Sequence, residues 1–131
     1  MEIVRTSVFI TKSTSLVAHE ISKKTGITYV RLQNMIVESF LDGERKINPR
    51  LEIRAWTDPD YVKRTFREQF GLTPENYKLI KRFADDNGYR IGTVLFQAML
   101  DFVGEWAVRL WTEDEFNELF KIEKKHPYDT D

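Results

Sequence analysis

The chain has 131 residues, 41% of them hydrophobic and 13% aromatic, which is enough apolar material for one compact core. It has no cysteine, which excludes a disulfide framework and thiolate metal sites, and its net charge of −1 argues mildly against nucleic acid. No apolar run approaches the ~18–20 residues of a membrane span, and the opening MEIVRTS lacks the basic start and long apolar core of a signal peptide. A soluble, cytoplasmic protein with no membrane partner is expected.

The charge is unevenly spread. Residues 1–50 carry eight Lys/Arg and five Asp/Glu, residues 51–91 eight and seven, and residues 92–131 four and nine. A basic beginning and an acidic end suit a body that meets phosphate on one side only.

In chain order, the first element is a strand. Val4, Thr6, Val8 and Ile10 alternate with Arg5, Ser7 and Phe9, so the first set faces a core and the second faces away. Ser13-Thr14-Ser15 makes a polar helix start, Val17, Ala18 and Ile21 recur at helical spacing, and Gly26 stops the helix. A second helix follows with Thr28 at its head and Leu32, Ile36, Val37 and Phe40 on one face; Asp42-Gly43-Glu44 ends it.

Residues 43–65 are too long for a tight turn and too apolar for a flexible linker. Leu51 to Trp56 alternates, predicting a short extra strand or an extended arm, with Trp56 in the core or between the flanking units. Residues 66–72 read as a strand, with a short helical turn near 58–64. A helix from Asp58-Pro59 to Gly71 also fits this stretch. Thr73-Pro74-Glu75 is a strong helix opening, followed by Leu79, Ile80 and Phe83, and Gly88 closes the helix.

The next helix carries Phe96 and Leu100, and its apolar stripe continues through Phe102, Val103, Trp106, Leu110 and Trp111 despite Gly104. A helix apolar on two faces must be covered on both. The expected cover is the final segment, where Thr112-Glu113-Asp114-Glu115 is a capping box ahead of Phe116, Leu119, Phe120 and Ile122. A protein partner or self-association through Phe96, Leu100, Trp106 and Trp111 is the other way to cover it. The last residues, HPYDTD, are expected to fray.

Two of these stretches are copies of one another. Gly26 and Gly88 stand 62 residues apart, and at that offset Val8 matches Phe70, Ile10 matches Leu72, Ile21 matches Phe83, Leu32 matches Val94 and Val37 matches Met99. Arg5/Arg67, Thr11/Thr73, Gly26/Gly88 and Phe40/Phe102 are identical. What repeats is a physical pattern of strand, helix, glycine turn and helix.

That order, carried by VFI…EISKKTG…VRLQNMIVESFL and FGLTPE…IKRFADDNG…TVLFQAMLDFV, resembles the ribbon-helix-helix family of DNA-binding proteins, to which the Arc and methionine repressors belong. The resemblance implies a mainly α fold with a short antiparallel β-ribbon, formed within one polypeptide as a tandem pseudo-dimer. The units are 1–42 and 66–111, joined by 43–65 and followed by a C-terminal helix and tail, 112–131. Some conjugative relaxosome accessory proteins resemble this tandem arrangement.

The resemblance further implies that the ribbon enters the major groove of double-stranded DNA. Arg5, Ser7, Phe9, Arg67 and Gln69, with Gly71 as the sixth position, then meet base edges. Arg suits guanine O6 and N7, Gln suits adenine, and Ser suits either. Phe9 departs from a polar reader, and either touches thymine methyls or is packed away by a bulge. Glu68 falls on the face meant to be buried. Backbone N–H groups at Thr28-Tyr29 and Tyr89-Arg90 are expected at phosphate, with charge added by Lys23, Lys24 and Arg31. A transcriptional regulator, acting as a repressor, is the expected function. The alternatives are a relaxosome or partition accessory factor, and an antitoxin- or inhibitor-like protein-interaction module. His19 and His126 look isolated and Asp85-Asp86 looks like solvated charge, so no enzyme activity, cofactor or metal is expected.

Overall fold

Thr11 and Thr73 do the same work in the two copies: each follows a strand and caps the helix after it. The computed structural model describes residues 2–124, with side chains to residue 121. The fraying expected from His126 onward lies outside these residues. Strand β1 (Val4–Ile10) leads to helix α1 (Lys12–Thr25), and strand β2 (Phe66–Leu72) leads to helix α3 (Pro74–Asn87). Thr11 accepts from the Thr14 N–H, and Thr73 from the Asn76 N–H. The first helix therefore starts at Lys12, ahead of the expected Ser13-Thr14-Ser15, and Thr14 and Ser15 are buried.

Gly26 (φ 78°) and Gly88 (φ 73°) end α1 and α3 in the left-handed region. A Cβ at either would meet nothing within 4 Å, so the backbone angle alone calls for glycine. Helix α2 (Tyr29–Asp42) and helix α4 (Ile91–Leu110) follow these turns, and helix α5 (Glu113–Lys124) closes the described chain. Its capping box forms in full: Thr112 N–H donates to Glu115 Oε1 at 2.9 Å, and Glu115 N–H to Thr112 Oγ1 at 3.2 Å.

The two strands pair antiparallel into one two-stranded ribbon, from Val4 opposite Leu72 to Ile10 opposite Phe66, without a bulge. Residues 66–72 are therefore strand, and the alternative helix through them does not form. Val8, Ile10, Phe70 and Leu72 are buried beneath the ribbon, as the alternation of strand side chains requires.

Helix α4 runs through the middle of the core, packed on α1, α2, α3 and β1. It is the one helix among the described residues long and apolar enough to cross a membrane, contrary to the expectation that no such run exists. Val94, Leu95, Phe96, Ala98, Met99 and Phe102 are buried, so its apolar composition serves the interior of this fold. Phe96 is 1% exposed and is removed from the surface expected to bind a partner. Trp106 stacks on Phe102, and Trp111 meets Phe116 of α5. Leu100 remains exposed.

The connector departs most from expectation. Leu51 to Trp56 forms no strand. Asn48 caps a short 3-10 helix, Pro49–Glu52, and reverse turns follow at Ala55–Asp58 and Asp58–Tyr61 in place of the helical turn expected near 58–64. Leu51 alone of this stretch is fully buried, and Trp56 is 80% exposed, neither core nor unit contact. The tight turns carry the Trp56 side chain outward after Leu51 has anchored the segment.

Candidate nucleic-acid interface

The outer face of the ribbon carries Arg5, Ser7 and Phe9 from β1 and Arg67 and Gln69 from β2, all exposed. Phe9 is 58% exposed, so no packing hides it. The sixth position, Gly71, lies on the same face opposite Arg5 but is buried and offers no side chain. A Cβ there would lie 3.1 Å from Ile3 Cγ2 and 3.5 Å from Val30 Cγ2. Across the ribbon this face forms three rows: Arg5 beside the buried Gly71, Ser7 beside Gln69, and Phe9 beside Arg67.

Glu68 sits on the opposite face, 5% exposed. Its carboxylate accepts from Ser15 Oγ at 2.8 Å and from the Tyr29 hydroxyl at 2.7 Å. His19 Nε2 lies 3.9 Å away, with its ring stacked on Tyr29 at 3.8 Å. His19 is therefore not isolated, as its sequence neighbours suggested. Ser15 donates straight to the acid and not to the imidazole, so the three do not form a nucleophile–base–acid chain. A buried carboxylate needs donors to remain inside, and α1 and α2 supply them, tying both helices to the strand between Arg67 and Gln69. Burial, then the hydrogen bond to Glu68, push the Tyr29 phenol up from its ordinary value.

The outer edge of β2 is sealed by side chains of α2. Gln33 Nε2 donates to Gln69 O, and Gln33 Oε1 accepts from Gly71 N–H, both at 2.9 Å. Asn34 Nδ2 donates to Gly71 O at 3.1 Å, and Asn34 Oδ1 accepts from Thr73 N–H at 2.9 Å. Strand edges left open pair with other chains, and the amides close this one. Their counterparts in the second copy are Leu95 and Phe96, which have no such groups. The edge of β1 instead borders a cavity of about 350 Å³ lined by Ser7, Phe9, Tyr61, Arg64, Arg90 and Thr93.

The expected phosphate contacts divide. Thr28 accepts from the Arg31 N–H and caps α2. The Tyr29 side chain turns inward to Glu68, so only its first-turn N–H, which has no intrahelical acceptor, remains for an anion. Tyr89 N–H is already spent: it donates to Ala84 O at 2.8 Å in closing α3. Arg90 pairs with Glu52 at 3.1 Å. Lys23 pairs with Glu20 at 3.3 Å, and Lys24 lies 5.9 Å over the Trp111 ring, towards α5. Both lysines are exposed but are held at the far end of α1. Asp85 and Asp86 pair with Lys81 and Arg82 one turn back.

Arg64 is the residue that sequence reasoning missed. Its Nη2 donates to Leu51 O at 2.9 Å, and its guanidinium lies 5.4 Å over the Phe96 ring. Burial and then the neighbouring Arg90 charge lower its pKa. No repeat counterpart marks it, because the connector occurs once. Comparison of the chain with protein-family models, with curated proteins and with solved structures finds no match.

Proposed function

We propose that the chain is a tandem ribbon-helix-helix protein that binds double-stranded DNA sequence-specifically, with its ribbon in the major groove, and acts as a transcriptional repressor. One observation carries the reading. The two repeat-related strands pair with each other in a symmetric register, leaving an arginine at each end of one exposed face over an underside that buries Val8, Ile10, Phe70 and Leu72 beside the carboxylate of Glu68. A two-stranded ribbon fits the major groove, and Arg and Gln match guanine and adenine edges there. The first-turn N–H groups of α2, flanking the ribbon, suit phosphate. Occlusion of a promoter is the simplest action for a protein of this kind; a relaxosome or partition accessory role would use the same surface to bend DNA.

The test is selection of bound duplexes from a random pool, followed by affinity measurement across salt. Enrichment of one motif is expected, with affinity falling steeply as salt rises because phosphate contacts release counterions. Absence of enrichment, together with no binding even at low salt, would reject the reading.

A second reading, a protein-interaction module, is favoured by the groove between α4 and α5. It encloses about 420 Å³ and is lined mainly by Gly104, Ala107, Val108, Trp111 and Phe116, with Val108 82% exposed. The acidic residues of this end of the chain would favour a basic partner.

A further inference from the structure

Arg64 of the connector and Arg90 at the head of α4 converge on one main-chain oxygen. The Nη2 atoms lie 2.9 Å and 3.4 Å from Leu51 O. Glu52 serves Arg90 at 3.1 Å and the Thr93 hydroxyl at 3.0 Å, while Arg64 makes no ion pair among the described residues. Two guanidinium groups with one carboxylate leave an uncompensated positive charge beside the cavity of about 350 Å³, and Ser7 and Phe9 of the ribbon form its other wall. Like charges held together repel, and an anion between them removes that repulsion.

Among the described residues, the opposite end of the ribbon has no such feature. There Ile3 and Val30 close over Gly71. The exposed face is also unequal end to end: Arg5 stands beside a buried glycine, and Arg67 beside the exposed Phe9.

Resting on the DNA reading above, we propose that Arg64 is a phosphate-binding residue supplied by the connector to one flank of the ribbon only, so that the protein lies on its DNA in a single orientation. The fork of a guanidinium matches phosphate oxygens. Phe9, in the row nearest that flank, presents an apolar ring suited to a thymine methyl. Arg5 and Arg67 read the two ends alike, while Arg64 and Phe9 decide which end is which. The preferred site is then an imperfect palindrome, with an extra backbone contact beyond one half.

The experiment is phosphate-ethylation interference on the duplex selected above, using the full chain, Arg64→Met and Arg64→Lys, each first checked by thermal unfolding. Methionine preserves the apolar cover over Phe96, and lysine preserves the charge without the fork. The unmodified protein is expected to show an extra protected phosphate on one flank. Arg64→Met should lose interference at that flank alone, weaken binding roughly tenfold and lower the salt slope by about 1. Arg64→Lys should retain the contact with reduced affinity. A symmetric footprint from the unmodified protein, or an unchanged one from Arg64→Met, overturns this proposal while leaving DNA binding intact. Failure of the unmodified protein to bind any duplex overturns both. Inorganic phosphate alone that saturates the Arg64 side-chain resonances and competes with DNA would assign the site to a free anion and also overturn it.

Discussion

Ser7 and Gln69 face each other at the middle of the ribbon, and each is the other's counterpart in the 62-residue repeat. The remaining pairs follow: Val4 opposite Leu72 maps onto Phe66 opposite Ile10, and Arg5 opposite Gly71 maps onto Arg67 opposite Phe9. A slip of one residue would turn either Val8 and Ile10 or Phe70 and Leu72 outward, so the buried side chains hold the register in place.

If the ribbon reads bases, its two arginines act at equivalent positions. Arg5→Ala and Arg67→Ala should each cost about 1–3 kcal/mol of specific affinity and relax preference at one position of the site. Fluorescence anisotropy with the selected duplex and single-base variants checks this. Two variants that bind every duplex as the unmodified protein does would remove the ribbon from the interface.

Asn34 closes one strand edge and shares Asn76 with Glu38: Asn76 Nδ2 donates to Asn34 Oδ1 and to Glu38 Oε2, each at 2.9 Å. Asn34→Leu keeps the size but leaves the Thr73 N–H and Gly71 C=O without their partner. An unpaired buried group costs about 1–3 kcal/mol. Urea unfolding measures the loss, and hydrogen exchange at Thr73 should accelerate while exchange at Ile36 in mid-helix does so less.

The Tyr29 phenol, raised by burial and by its hydrogen bond to Glu68, predicts an alkaline limit. The unfolded phenol releases its proton near pH ~10, while the folded one holds it. The unfolded state therefore binds fewer protons above that point, and stability falls as pH rises. The contribution is complete below pH ~10 and lost progressively above it. Tyr29→Phe should be less stable at neutral pH and lose less on going to high pH. Parallel pH profiles of unfolding free energy for the two proteins would refute the assignment.

Gly26→Ala and Gly88→Ala test the backbone by itself, since open space surrounds both positions. Each should cost about 1–2 kcal/mol through the left-handed angle, and the double variant should show their sum to within about 0.5 kcal/mol. A neutral effect at either would mean that the turn relaxes to another conformation.

The strands, the helices, the glycine stops and the Thr73 cap were legible in the sequence because each depends on residues within a turn or two. Alternation at Val4–Ile10, helical spacing at Val17–Ile21 and a positive φ at Gly26 are local demands of the chain. The repeat also carried the strand assignment of Phe66–Leu72 past a helical alternative that local rules allowed. Tertiary structure alone decided the partners. Glu68 was visibly a carboxylate on a buried face, but Ser15, His19 and Tyr29, which hold it there, come from two other elements. Asn34 and Gln33 gain their role only where β2 comes alongside α2. Trp56 looked like core until turns placed it outside, and Tyr89 looked available until its N–H closed α3. Arg64 gained its position through Leu51, Phe96 and Arg90, all distant along the chain. Backbone geometry follows from near neighbours, whereas the pairing of a charge or an amide depends on which distant groups the packed core brings within hydrogen-bonding reach.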